Sequence, residues 1–331
     1  MPAVAIAMRT RSRPSLLRRA LLDVLAQSSP DWHLSLLNNG GDAASVDALV
    51  AEFADRFAGR ITVTHAPEHL AMEAATNEAV RAAPASRYVN VHDDDDTWDP
   101  EFLRRTIARL DESDDDVAGV AARSDYVLES IEADGSIKQL ERRPHNPNLT
   151  YLTPADVLAA NPFPPISFLF RRSVYDALGG FDERYTLTGD WDMVIRILRD
   201  HQISVIETSL AQYRHRSAST SGTQDTNSVA DLDAVAANEA MVRDKFVREA
   251  LDADRIELAH LAAAITPVDR DTLALAKELR QRVYDLQLLA GELDQRLKEV
   301  HGFAIRHEVP LQRLNKLFDG LARLRHPFRR P

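Results

Sequence analysis

The chain of 331 residues contains no cysteine. That absence excludes disulfides and thiolate-held metal, so any metal must sit on Asp, Glu, His or water. No apolar run approaches the roughly 20 residues that a membrane-spanning helix needs. No secretory leader is legible, because the short apolar stretch Ala3 to Met8 precedes the first arginines instead of following them. These absences point to the cytoplasm. A basic face is missing as well: the net charge is −11, which argues against nucleic-acid binding. No internal repeat is found. What remains, 44% hydrophobic and 27% charged residues, is the composition of an ordinary globular chain, long enough for one large domain with an appendage.

The first half reads as alternating strands and helices. Ala3 to Met8 is an apolar run of the buried parallel-strand kind, followed by the loop Arg9-Thr10-Arg11-Ser12-Arg13-Pro14. A helix is predicted from Ser15, whose hydroxyl can cap it. Trp32 to Leu37 is a strand stopped by Asn38-Asn39-Gly40-Gly41-Asp42, a strong turn cluster. A helix over 46–57, a strand over 61–64 and a helix over 72–82 follow. The strand Tyr88-Val89-Asn90-Val91 then runs straight into Asp93-Asp94-Asp95-Asp96. This rhythm predicts an α/β fold, a Rossmann-like, mostly parallel sheet flanked by helices. In such sheets ligand groups gather at the carboxyl ends of strands, and three polar loops end strands here. Beyond the cluster, strands are expected over 117–121, 126–131, 166–170 and 203–207, mobile loops over 142–165, and a helix from about Asp190 to Arg199.

Four consecutive aspartates do not stabilise a fold, since like charges at contact repel by roughly 1 kcal/mol per pair even in water. A cation should neutralise them, and hard oxygen donors without thiolates suit Mg²⁺ or Mn²⁺. Such an ion can bridge a diphosphate and stabilise its charge as it leaves. The plainer reading is a solvated acidic loop, as Asp114-Asp115-Asp116 after a helix illustrates. The strand-end position favours the metal. A rival enzyme reading is open too. Asp93-x-Asp95-x-Thr97 fits the DxDxT pattern of haloacid-dehalogenase-like phosphohydrolases, although that motif normally follows the first strand of its fold.

The segment from Val89 to Trp98 resembles the DxD region of inverting family 2 glycosyltransferases with the GT-A fold. The resemblance covers about residues 3 to 220 through five motifs in order. It implies transfer of a sugar from a nucleotide-diphosphate-sugar donor to an acceptor hydroxyl, of a cell-surface polysaccharide or glycolipid, with Mn²⁺ or Mg²⁺ as cofactor. By the same resemblance Asp93 lies near the ribose and Asp95 binds the metal; Asp94, between them, is assigned to the nucleotide. The loop carrying Arg9, Thr10 and Arg11 and the loop carrying Asn38 and Asn39 face the nucleotide. Gly179-Gly180-Phe181-Asp182-Glu183 followed by Gly189-Asp190-Trp191-Asp192 is similar to the acceptor segment. Asp190 is then the catalytic base, and a helix N-terminus should keep it ionised. Trp191 and Asp192 become acceptor-binding candidates, Trp191 by stacking on a sugar ring; packing in the core is the other reading of Trp191. His215, in Tyr213-Arg214-His215-Arg216, is a second metal-ligand candidate. Three departures stand out: Gly189 where the family commonly has Glu, Asn38 and Asn39 where it commonly has Asp, and Thr76 in Ala75-Thr76-Asn77 where it often has Arg. A catalytically inactive scaffold is the third functional reading.

The division expected from the sequence is a catalytic domain over 1–225, a helical extension over 226–305 and a basic tail over 306–331. Within the extension, Ala276, Leu279, Val283, Leu286, Ala290, Leu293, Leu297 and Val300 repeat in sevens, a coiled-coil-like seam over 276–300. Self-association into a homo-oligomer and packing as a helical hairpin both fit it. The tail carries seven basic residues against two acidic ones, interleaved with Leu311, Leu314, Leu317, Phe318, Leu321 and Leu324. That amphipathic pattern suits peripheral contact with the inner face of the cell membrane, or a helix laid on the body with solvated arginines. A saccharide or lipid-linked acceptor would agree with the first.

Overall fold

The computed structural model describes residues 1–132, 134–216, 232–253, 282 and 293–299. Its sheet begins with β1 (Val4–Thr10), β2 (Trp32–Asn39), β3 (Ile61–Ala66) and β4 (Tyr88–Asp93), connected by α1 (Pro14–Leu25), α2 (Ala43–Ala51) with α3 (Ala54–Phe57), and α4 (Met72–Ala82). There follow β5 (Thr97–Trp98), α5 (Phe102–Asp111), β6 (Val117–Ile131), β7 (Ile137–Pro144), α6 (Pro154–Ala159), β8 (Phe168–Arg171), α7 (Arg172–Ala177), α8 (Gly189–Asp200), β9 (Gln202–His215) and α9 (Leu232–Asp252). The strand order is β3-β2-β1-β4-β8-β6-β9-β5, with β7 on the side of β6. β1 is parallel to β2 and β4, β2 to β3, and β6 to β9; the short β8 runs antiparallel between β4 and β6. The fold is therefore the expected α/β one, with a mostly parallel sheet flanked by helices.

Strand alternation divides the core between the two faces of the sheet. Ile6, Met8, Leu34 and Leu36 pack with Leu17 and Leu21 of α1 and Leu103 of α5. Ala7, Leu37, Val89 and Val91 pack with Ala75 and Val80 of α4 and Val194 and Ile197 of α8. Both faces are covered, which is why β1 reads as a continuous apolar run.

The register brings the polar strand ends together. Thr10 pairs with Asn38 across β1 and β2, and Arg9 pairs with Asp93 across β1 and β4.

Several elements differ from expectation. The two strands expected over 117–131 are one strand, β6, because parallel pairing to β9 continues to Leu128. β9 extends to His215, well past the expected end, and β7 takes in 142–144, the start of the segment expected to form loops. The helix expected over 46–57 is broken into α2 and α3. Helix α1 starts at Pro14 after Arg13, without a side-chain cap, so Ser15 does not serve as one.

The unit containing the sheet runs from Met1 to Thr266. Helix α9 lies within this unit. Val242 of α9 is fully buried in the α4–α8 core, and Asn238 Oδ1 accepts from the Thr186 N–H and hydroxyl at 3.1 Å each. In the second unit, Pro267–Pro331, residues 293–299 are helical with a Lys298–Asp294 pair of 3.2 Å. The rest of the heptad seam and the whole basic tail lie outside the described residues. Among the described residues no helix is long and apolar enough to cross a membrane.

Candidate active site

The carboxyl ends of β1, β2 and β4 open onto a cavity of about 970 Å³, whose walls include Arg9, Arg11, Asp93, Asp95 and, from α8, Asp190. Each aspartate of the cluster meets its own set of partners, with Arg13 shared between Asp94 and Asp95. Arg9 Nη2 pairs with Asp93 Oδ1 at 2.7 Å, and its Nη1 donates to the Thr76 hydroxyl. The Thr10 hydroxyl donates to Asp94 Oδ2 at 2.7 Å, and Arg13 Nη1 reaches Asp94 at 3.2 Å and Asp95 at 3.5 Å. Arg216 pairs with Asp95 Oδ2. Asp96 turns inward and accepts the Arg214 N–H at 2.7 Å. Burial pushes Asp94 up to about 6 and Asp96 further above the usual carboxylate range.

Behind the cluster lies Glu129 of β6, fully buried, which the sequence does not single out. It accepts from Arg19 Nη1 at 2.8 Å, Arg214 Nη1 at 2.9 Å and Arg216 Nη1 at 2.6 Å. Despite burial, these three guanidiniums hold its carboxyl below the ordinary range. Arg19 also donates to the Asp95 carbonyl at 2.6 Å. Glu129 is thus a fixed anion that gathers arginines around the aspartates. Its place 34 residues after Asp95, on an ordinary-looking strand, carries no local signal.

The structure brings most of the expected residues to the cavity and removes others. Arg9, Thr10, Arg11, Asn39, Asp93, Asp94, Asp95 and Asp190 line it. Asn38 does not. It is fully buried and closes its own turn, donating to the Gly41 carbonyl at 2.9 Å and accepting the Gly41 N–H at 3.0 Å. Asn39 touches the cavity, but its amide is tied to the Leu70 backbone at 2.8 and 3.0 Å, which fastens β2 to the approach of α4. Asp192 does not line the cavity: it is fully buried and pairs with Arg196 at 2.7 Å and Lys245 at 2.6 Å. Trp191 is 1% exposed, donates Nε1–H to the Val157 carbonyl, and carries Arg243 over its ring at 4.9 Å. It belongs to the core behind the cavity wall, which it borders with little exposed surface.

Asp190 sits in the first turn of α8 and accepts from Asn161 Nδ2 at 2.8 Å. The expected effect of the helix N-terminus is outweighed, since burial pushes Asp190 up to about 6. A carboxyl at that value is still mostly ionised at neutral pH and is a better proton acceptor than an ordinary aspartate. Asn161 and Glu73 are further wall residues that the sequence does not single out.

The donor set can be tested against a divalent cation. His215 stacks on Tyr126 at 4.5 Å, and its buried Nε2 has no hydrogen-bond partner. Burial brings its imidazole down to about 4, so it is neutral with a lone pair to offer. Asp95 offers hard oxygen at the cavity wall. Among the described residues no group of three or more ligating side chains is assembled. His215 is not among the residues that line the cavity, whereas Asp95 is, held there by Arg13 and Arg216.

A family model described as Glycosyl transferase family 2 matches residues 4–179. The structure of TarS 1-349 from S. aureus in complex with UDP-GlcNAc is similar at 14% identity and TM-score 0.57, over 80% of this chain and 71% of that one. The mannosyltransferase PcManGT from Pyrobaculum calidifontis, in complex with GDP-Man and Mn²⁺, is similar at 15% identity and TM-score 0.56, over 86% and 81%. For a further structure of TarS 1-349 the values are 13% and 0.49, and the match spans 65% of this chain and 60% of that one. A search of curated protein sequences finds no match. At these identities the structural likeness establishes the fold.

Proposed function

This chain belongs to glycosyl transferase family 2, and on that premise we propose that it transfers a sugar from a nucleoside-diphosphate-sugar to an acceptor hydroxyl with inversion, assisted by a divalent cation. One observation carries this reading. Asp190, a carboxyl raised to about 6, shares a single cavity with the strand-end aspartates 93 to 95 and the arginines of the β1–α1 loop. A base and a diphosphate-binding end are the two parts that inverting transfer requires.

The acceptor hydroxyl gives its proton to Asp190 while its oxygen forms the new bond to the anomeric carbon. The bond from that carbon to the diphosphate oxygen breaks, and the electron pair leaves with the nucleoside diphosphate. Arg9 and Arg13 stand where a diphosphate can take over part of their pairing with the aspartates, and Arg11 lines the same cavity. Asp93 is assigned to the ribose, Asp94 and Asn39 to shaping the nucleotide end. Asp95 would hold Mn²⁺ or Mg²⁺, which would offset the charge developing on the departing diphosphate. The donors bound by the two similar proteins, UDP-GlcNAc and GDP-Man, are the first to try. A saccharide or lipid-linked saccharide is the acceptor class proposed.

The phosphohydrolase reading loses its support. Asp93 ends the fourth strand of the chain, is held by Arg9, and lies within the matched family region.

Thermal-shift screening of nucleoside diphosphates with Mn²⁺ should show selective stabilisation by one base, since a ligand that binds the native state stabilises it by mass action. Asp95→Ala should abolish the metal-dependent part of that shift. Asp190→Asn should retain it and lower turnover by about 10²–10⁴-fold. Metal-linked donor binding that survives Asp95→Ala would overturn the metal assignment. Donor binding without turnover, unaltered by Asp190→Asn, would replace transfer by a scaffold role.

A further inference from the structure

Glu73 lies in the first turn of α4 and borders the cavity at 4% exposure. It accepts, through Oε1, the N–H of Gly189 at 3.1 Å, the first residue of α8. The four leading N–H groups of a helix have no partner within it and need an outside acceptor. Thr188, which precedes α8, makes no side-chain capping bond, and its buried hydroxyl has no hydrogen-bond partner. The cap therefore comes from α4. The fit is close: a Cβ at 189 would lie 2.4 Å from Glu73 Cδ and 2.6 Å from Oε1, so a side chain there would push this carboxyl out of its place. The charged groups facing this carboxyl are Arg9 of β1, Asp93 of β4 and Asp190 of α8 itself.

We infer that Glu73 is a positioning residue for the transfer reaction: its carboxyl caps α8 through Gly189 and thereby holds Asp190 at the cavity wall. The inference rests on Asp190 being the base proposed above. Burial, against the pull of Arg9, pushes Glu73 up to about 8. At neutral pH it is thus mostly the neutral acid, whose carbonyl oxygen still accepts the Gly189 N–H. A neutral cap adds no charge next to Asp190. Above about pH 8 the carboxylate forms, repels Asp190 and Asp93, and competes for Arg9, so the arrangement should fail on the alkaline side.

The test uses the full chain with UDP-GlcNAc or GDP-mannose and Mn²⁺, reading release of nucleoside diphosphate from pH 6 to 10. Glu73→Ala is expected to lower kcat by about 10–100-fold with donor KM within about threefold, the signature of a misplaced base. Glu73→Gln, whose amide oxygen can still accept the Gly189 N–H, should recover most of that loss and remove the decline above pH 8. Unchanged kcat in Glu73→Ala overturns the inference. So does a Glu73→Gln variant that is as impaired as Glu73→Ala and keeps the alkaline decline. Amide hydrogen exchange at residues 189–191 reads the cap without turnover, and should quicken about fivefold in Glu73→Ala but not in Glu73→Gln. If the wild type turns over neither donor, that counts against the proposed function. Unchanged exchange in Glu73→Ala counts against the cap. If Glu73→Ala fails to fold, the pH profile and exchange of Glu73→Gln decide alone: a retained alkaline decline or quickened exchange overturns the inference.

Discussion

Asp190 and Asp192 sit two residues apart on one helix turn, yet their surroundings assign them opposite work. Asp190 faces the cavity and is bonded to neutral amides, the Asn161 side chain and the Trp191 backbone. Asp192 points into the body, where Arg196 and Lys245 pair with it. Removing one partner of a buried charged group leaves the others uncompensated, which costs about 3–5 kcal/mol. Here Arg196 keeps the Leu178 and Gly180 carbonyls at 3.0 and 2.9 Å, and Lys245 keeps Asp182 at 3.3 Å. The cost should therefore sit near the lower end. Asp192→Ala is expected to lose about 3 kcal/mol in urea denaturation, while kcat of the folded protein, measured well below Tm, stays within a few-fold. Asp190→Asn should show the reverse. If Asp192→Ala abolishes turnover without loss of stability, it is an acceptor ligand after all.

Helix α4 is the element that relates the donor end to the base, and it does so from one face. Glu73 and Asn77 are four residues apart and so lie one above the other. Asn77 Oδ1 accepts from the Phe181 N–H at 2.9 Å and the Tyr175 hydroxyl at 2.7 Å, while its Nδ2 donates to the Phe181 carbonyl at 2.9 Å. The chain leading to α8 must pass close over this amide, which requires glycine at 180. Gly180 has φ +82°, and a Cβ there would lie 2.9 Å from Asn77 Oδ1. Gly59 has a similar φ of +80° with nothing within 4 Å. Ala at Gly59 should cost only the left-handed backbone strain, about 1 kcal/mol. Ala at Gly180 should cost about 2–3 kcal/mol, since the clash with the α4 amide adds to that strain. Equal losses for the two variants in urea denaturation would mean that the Asn77 contact is not tight. These contacts also show what the sequence can and cannot carry. β1, β2 and β4 are legible because strands buried on both faces are continuous apolar runs, and the loops that end them are polar for a reason. β7, Ile137–Pro144, is almost wholly exposed, so no alternation marks it. Asn38 and Asp192 are chemically suited to ligand binding, and only their partners, far away in sequence or closed within a turn, show that they are structural. Glu73 and Glu129 are hidden for the same reason, each defined by arginines or amides on other elements.

For the whole molecule, the site carboxyls set how stability depends on pH. Glu73 has its folded value raised from about 4.5 to about 8. The folded state thus holds this proton more tightly than the unfolded chain does. Stability from that source is fully present below about pH 4.5 and is lost as pH rises toward 8. At pH 7 the loss is about 3 kcal/mol, from 1.36 kcal/mol per unit. Asp190, raised to about 6 and more exposed, adds to the same slope between about pH 4 and 6. Glu129 acts in the opposite direction. Its folded value is depressed by three arginines, so its stabilisation is present above its ordinary range and disappears on acidification. Between these opposing slopes, the three groups place the maximum of stability in acid solution, at about pH 4 to 5. The Tm of the wild type is expected to fall from pH 6 to 8. In Glu73→Gln, which has no proton to lose there, Tm should exceed the wild-type value at pH 8 and vary much less over that interval. A wild-type Tm that does not fall between pH 6 and 8, or an equal fall in Glu73→Gln, would show that Glu73 is not the buried acid that sets this slope.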